Sequence, residues 1–137
     1  MQGPEPPTGD RPRIVVVDDV AETRRLMRRV LERDAFAVTE AGSGEEALEA
    51  IERERPVLVV LDLRLPGISG FEVARRVRAH ADNAIRDTIL LACSASVQDD
   101  VREEALEAGC DDFEGKPFEV ALFGRRVRDL IARGRRT

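Results

Sequence analysis

Five polar positions in this sequence are of types that can do chemistry on a charged oxygen: the pair Asp18-Asp19, then Asp62, Ser94 and Lys116. Most of them close an apolar run. IVVV leads into Asp18-Asp19, VLVVL into Asp62 and TILLAC into Ser94, while Lys116-Pro117 follows the short segment Asp112 to Glu114. Three carboxylates brought close together repel one another, which raises their pKa values unless a cation sits among them. A hard divalent ion resolves that conflict. Mg²⁺ prefers oxygen ligands and usually takes one or two carboxylates together with phosphate oxygens, so the set suits Mg²⁺ and a phosphoryl group. Asp62 could then attack phosphorus, with Lys116 neutralising charge on the transferring oxygens and Ser94 donating to a phosphoryl oxygen once it is attached. Asp-Asp alone is a weak signal, because Asp99-Asp100 and Asp111-Asp112 are also present. Only the first pair directly follows a long buried-strand run; the second reads as helix-start electrostatics and the third as a strand entry.

The elements that must position these residues follow from hydrophobic periodicity. Strand-length apolar runs at Ile14 to Val17, Ala37 to Glu40, Val57 to Leu61, Thr88 to Cys93 and Asp112 to Glu114 alternate with stretches of helical period. The first helix is expected from about Ala21 to Arg33, with Leu26, Val30 and Leu31 as its apolar stripe. The second begins at Ser43-Gly44-Glu45-Glu46, which fits a capping box, and buries Ala47, Leu48 and Ile51. The third, about Ser69 to His80, buries Phe71, Val73, Ala74 and Val77. The fourth, Val97 to Ala108, follows Ser96, carries Asp99 and Asp100 in its first turn and stops at Gly109. The last, about Phe118 to Ala132, starts just after Pro117 and places Val120, Leu122, Phe123, Val127, Leu130 and Ile131 on apolar positions. Five strands alternating with five helices predict an α/β, doubly wound, five-stranded parallel sheet with helices on both faces. In such folds function gathers outside the carboxyl ends of the strands, where all five polar positions converge.

Composition narrows the classes. The chain has 137 residues, 42% of them hydrophobic and 36% charged, enough for one domain with a real core. No apolar run reaches the roughly 18 residues of a membrane span, and Met1 to Arg13 lacks a signal-peptide core, so a cytoplasmic protein without membrane contact is expected. Residues 1–12 read as a disordered leader, 13–133 as the domain and 134–137 as a basic tail. Two cysteines, Cys93 and Cys110, are too few and too far apart for a disulfide framework or zinc site and read as small buried hydrophobes. His80 has no ligand partners at metal spacing and reads as a surface residue. A net charge of −5 argues against electrostatic coating of nucleic acid, although residues 125–137 hold six arginines and one acid, Asp129. That tail reads as a solvated helix end favoured by the macrodipole. Of 22 basic residues only one is lysine, Lys116, which hints that an ammonium is needed there.

The segments IVVVDD, LDLRLPGISGFEV, LLACSAS and GCDDFEGKPF resemble the response-regulator receiver domain of two-component signalling, over about Arg13 to Ala132. The resemblance implies a flavodoxin-like receiver fold with Asp62 as the residue that becomes an aspartyl phosphate. It further implies that Asp19 binds Mg²⁺ directly, that Asp18 assists through water and that the Arg64 carbonyl is a backbone ligand. Ser94 and Lys116 match the phosphoryl-contacting hydroxyl and lysine, and the Lys116-Pro117 bond is expected to be cis. Pro66-Gly67 and Gly70 match the turn closing the active-site loop. Phe113 falls at the switch aromatic, which with Ser94 would report phosphorylation, but it lacks a phenol hydroxyl. Arg64 and Ser96 occupy variable positions that tune phosphoryl lifetime.

The expected function is that of a single-domain response regulator, with no room for an output domain. Asp62 would take phosphate from a sensor histidine kinase or histidine phosphotransfer protein docking near the first helix. The signal would leave to an effector protein through the fourth helix, fifth strand and last helix. The chain would not be an enzyme beyond self-phosphorylation from a donor and autodephosphorylation. A phosphorelay intermediate or phosphate sink is the alternative. A haloacid-dehalogenase-type phosphatase fits less well, since it places its nucleophile on the first strand in Asp-x-Asp and needs a cap; a degenerate binding domain is disfavoured by the complete site.

Overall fold

A computed structural model describes residues 11–95, 98–116 and 119–135. Five parallel strands, β1 Arg13–Val17, β2 Ala37–Ala41, β3 Leu58–Asp62, β4 Ile89–Ser94 and β5 Asp112–Gly115, form one sheet in the order β2-β1-β3-β4-β5. Among the described residues six helices connect or follow them: α1 Ala21–Arg33, α2 Gly44–Glu54, α3 Gly70–Arg78, α4 Asn83–Arg86, α5 Asp99–Ala108 and α6 Val120–Arg133. The doubly wound parallel sheet is as expected, but five helices become six. The extra one, α4, is a single turn whose Asp82 side chain accepts from the Ala84 N–H. It carries one buried apolar residue, Ile85, too little to register as helical period.

Alternation along the central strands makes two cores. Val15, Val17, Val59 and Leu61 point to one face, where Ala47 and Ile51 of α2, Val73 and Val77 of α3, Ile85 of α4 and Ala105 of α5 cover them. Ile14, Val16, Leu58 and Val60 point to the other, under Met27 and Leu31 of α1 and Phe123, Val127 and Leu130 of α6. Because both faces of β1, β3 and β4 are covered, these strands are apolar at successive positions.

Several helix stripes shift by one residue. Leu26 is 45% exposed and Met27 takes its inward place, because i to i+4 spacing aligns Met27, not Leu26, with Leu31. On α6, Val120 and Leu122 are exposed, and Gly124 instead lies inward, where a Cβ would collide with the Asp34 carboxylate. Ser43 caps α2 as expected by accepting from the Glu46 N–H, but the Glu46 carboxylate reaches back to the Gly42 N–H instead of closing the box on Ser43. Residues 1–10, the expected cap Ser96 with Val97, the Lys116-Pro117 bond, the Phe118 helix start and residues 136–137 lie outside the described residues. Within them α5 is entered from Gln98, whose side chain makes no capping bond.

Candidate phosphoryl site

Strand register brings the distant acids together. Val17 is paired with Leu61, so the next residues, Asp18 and Asp62, emerge side by side at the ends of β1 and β3. This is where chain order reverses direction across the sheet, the position at which open α/β sheets leave a crevice. Asp62 is itself paired with Cys93, and Ser94 with Gly115, so Ser94 and Lys116 stand just beyond on the next strands. The Lys116 N–H donates to the Ser94 carbonyl at 2.8 Å, fixing the start of the lysine's reach. Its ammonium crosses back to Asp18 Oδ2 at 2.7 Å and Asp62 Oδ2 at 3.1 Å.

Asp18 and Asp62 are buried and Asp19 is exposed. One carboxylate oxygen from each of the three lies within 4.8 Å of the others. Burial pushes the Asp62 carboxyl above its ordinary value and the neighbouring Asp18 adds to the rise, while the Arg64 N–H and Lys116 oppose it without cancelling it. Burial pulls the Lys116 ammonium down, but the carboxylates of Asp18 and Asp62 outweigh it and the net shift is upward. One ammonium thus faces three acids, leaving an excess of negative charge on hard oxygen donors, the donor set that a small divalent cation favours. Among the described residues three carboxylates converge without a transition-metal nitrogen or sulfur donor in the group, which fits Mg²⁺.

The loop after β3 is pinned so that Asp62 keeps this aim. Asp62 Oδ1 accepts the Arg64 N–H at 3.0 Å, the Leu63 N–H donates to the Cys93 carbonyl and the Leu63 carbonyl accepts the Gly70 N–H. A Cβ on Gly70 would stand 2.3 Å from the Asp62 carbonyl, so only glycine allows α3 to start this close to the acid. Gly67 turns the loop at φ 75°. Ser94 is buried beside Asp62's strand, and Phe113, paired with Ala92, is half-buried against the core. Cys93 and Cys110 are both buried; burial drives the first thiol far up and the second to about 12, so neither is a nucleophile at neutral pH. His80 is half-buried and bonds at the surface to the exposed Glu52. The arginines of the C-terminal segment are largely spent on the fold: Arg126 and Arg133 pair with Asp112, Arg128 with Asp34, and Arg135 with Asp111.

Residues 14–128 match the response regulator receiver domain family. The chain belongs to this family. Among its relatives, the transcriptional regulatory protein ResD of Bacillus subtilis (strain 168) is 37% identical over 125 residues, covering 91% of this chain and 50% of ResD. The chain spans about half the length of the curated relatives it matches. A putative response regulator from Chloroflexus aurantiacus J-10-fl has a similar structure, with TM-score 0.83 and 31% identity over 90% of this chain and 99% of that one. The chemotaxis response regulator CheY4 of Vibrio cholerae shares the fold, with TM-score 0.80 at 22% identity, covering 87% of this chain and 98% of CheY4. A receiver domain places this protein in two-component signalling. No helix among the described residues is long and apolar enough to cross a membrane.

Sequence reasoning missed what holds the β1 end itself. Arg24 of α1 donates to the Asp18 carbonyl at 2.8 Å and to Glu40 of β2 at 2.8 Å. No local spacing announces that contact, since Glu40 is brought there only by strand pairing.

Proposed function

We propose that this receiver domain accepts a phosphoryl group on Asp62 from a phosphohistidine on a sensor kinase or phosphotransfer protein. The observation that supports this most directly is the lysine bridge from Lys116 to Asp18 and Asp62, which places one ammonium against the strand-end carboxylates of β1 and β3. An Asp62 carboxylate oxygen forms the new O–P bond as the N–P bond of the phosphohistidine breaks; the bonding pair returns to the imidazole nitrogen. Asp18, Asp19 and Asp62, with the Arg64 carbonyl, would hold Mg²⁺. When bound, that ion supplies charge neutralisation on the transferring oxygens. Lys116 then leaves part of its carboxylate contact for a phosphoryl oxygen, and Ser94 donates to another. Withdrawal of Ser94 toward the phosphate frees space into which the Phe113 ring turns, shifting the population of the α5, β5 and α6 face toward a form that binds an effector.

The setting is cytoplasmic, where a kinase's phosphohistidine is available, and the domain acts as a switch instead of a multiple-turnover enzyme. The same face would serve an effector that is a separate protein or a domain of the same polypeptide; the curated relatives, of whose length this chain spans about half, are called transcriptional regulatory proteins. A relay or sink role uses the same chemistry and differs in where the phosphate goes next. Incubation with Mg²⁺ and acetyl phosphate should add about 80 Da, one phosphoryl group, to the wild-type chain and nothing to Asp62→Asn. No gain in the wild type from acetyl phosphate or from a phosphohistidine donor would overturn the reading.

A further inference from the structure

The acids at the end of β1 are useful only if the peptide between them is held. Asp18 sits where a strand breaks into a loop, and each of its polar groups but one is tied to a neighbouring backbone or to Lys116. Its N–H donates to the Ala41 carbonyl, its Oδ1 accepts the Val20 N–H at 2.8 Å and its Oδ2 accepts from Lys116. The remaining group is the carbonyl, and it belongs to the planar peptide that joins Asp18 to Asp19. Fixing that oxygen fixes ψ of Asp18 and φ of Asp19 together, because the peptide unit rotates as one body.

Arg24 does this from α1. Its Nη1 donates to the Asp18 carbonyl at 2.8 Å while its Nε donates to Glu40 Oε1 at 2.8 Å. Glu40 is in turn held by Arg28 at 3.0 Å, and both arginines hold its carboxyl below the ordinary value against the opposing effect of burial. The guanidinium lies over Gly42, where a Cβ would stand 3.2 Å from Nη1. Three elements therefore meet in one planar fork: α1 supplies it, β2 orients it and β1 receives it. A lysine in its place has one point of charge and cannot reproduce the two fixed directions.

We infer that Arg24, oriented by Glu40, is a positioning residue that sets the Asp18-Asp19 peptide and thereby the geometry of the acid cluster for a divalent cation. This rests on the phosphoryl-transfer reading above and adds the device that prepares its metal ligands. It also makes a prediction opposite in sign to simple electrostatics. A guanidinium close to a cation site repels the cation, so if charge alone mattered its removal would tighten binding. Removal of a positioning contact loosens binding instead, and loss of a group that orients metal ligands typically costs about 10-fold to 100-fold in affinity.

The test is calorimetric titration of the full chain with Mg²⁺ alone, comparing wild type with Arg24→Ala, Arg24→Lys and Glu40→Gln, with thermal melts of each as a folding control. The expected result is a Kd weakened about tenfold in Arg24→Ala, with smaller losses in Arg24→Lys and in Glu40→Gln, where the amide oxygen still accepts from Nε. Phosphorylation by acetyl phosphate at saturating Mg²⁺ should recover most of its wild-type rate, because excess cation compensates for weaker binding. A Kd that is unchanged or tighter in Arg24→Ala, whatever happens to its melting point, overturns the inference. If Arg24→Ala does not fold, Glu40→Gln decides on the same criterion. Failure of the wild type itself to bind Mg²⁺ overturns the phosphoryl-transfer reading, and this inference with it.

Discussion

Two Asp-Asp pairs sit at opposite ends of the same sheet and have been given opposite surroundings. At the carboxyl end, Asp18-Asp19 joins Asp62 around a single lysine. At the other end Asp111-Asp112 enters β5 amid arginines: Arg78 and Arg135 on Asp111, Arg126 and Arg133 on Asp112. Arg78 there is 12% exposed and spends its guanidinium on Asp111 at 2.7 Å and on the carbonyls of Gly109, Arg86 and Thr88. Asp111 Oδ2 also accepts the Leu90 N–H. A buried ion pair is stable only when its remaining donors and acceptors are met, and here they are. The two corners teach that a dipeptide acquires a role from its charge balance: a saturated pair holds helices and strands together, whereas an under-neutralised pair retains affinity for a cation that arrives later.

The contrast can be broken most severely at the saturated corner. Arg78→Met should cost about 3 kcal/mol of unfolding free energy in urea titrations, since it takes the more buried of two arginines from Asp111 and one donor from each of three carbonyls. A loss below about 1 kcal/mol would mean that the corner is not a structural hub. Asp62→Asn should do the reverse in Mg²⁺-free buffer. Removing one of three crowded acids should raise stability by about 1 kcal/mol, while abolishing phosphoryl uptake. A lower melting temperature than wild type would contradict the charge imbalance assigned to that end.

Acid titration sharpens the same comparison by sign. Burial opposes ionisation of Asp112, but the Phe113 N–H, Arg126 and Arg133 prevail and hold its carboxyl below the ordinary value. Its folded pKa therefore lies below the unfolded one; its stabilisation is complete above about pH 4 and is lost as pH falls through the folded value. Asp62 is shifted upward, so its cost is present at neutral pH and is relieved as pH falls through its raised folded value. Melting temperature followed from pH 7 downward should fall less in Asp112→Asn than in wild type and more in Asp62→Asn. Parallel curves for all three would sink the assignment. The smallest effect is expected where both partners are wet: Arg128→Ala, which breaks the 3.1 Å pair with Asp34, should change stability by about 0.5 kcal/mol or less.

Much of this was legible before any coordinates. Strand-length apolar runs exposed β1, β3 and β4 because burial on both faces leaves no polar alternation to confuse them, and their closing acids marked the site. The lone lysine among arginines pointed to Lys116. The short helix α4 was not legible, since one turn with a single buried residue has no period. The inward faces of α1 and α6 are not legible at Leu26, Val120 and Leu122 either, because arginine-rich helices offer several apolar residues and only packing selects among them.

The sequence by itself determined the alternation of strand and helix, the two apolar faces of the central strands and the presence of acids, a hydroxyl and an ammonium at strand ends, because these depend on residue type and short-range period. Tertiary structure decided what each charge meets. Parallel register placed Asp18 beside Asp62, carried Lys116 back to both, and brought Glu40 under Arg24. The physical reason is that electrostatic balance falls steeply with distance, and the partners that set it lie up to 98 residues apart in the chain.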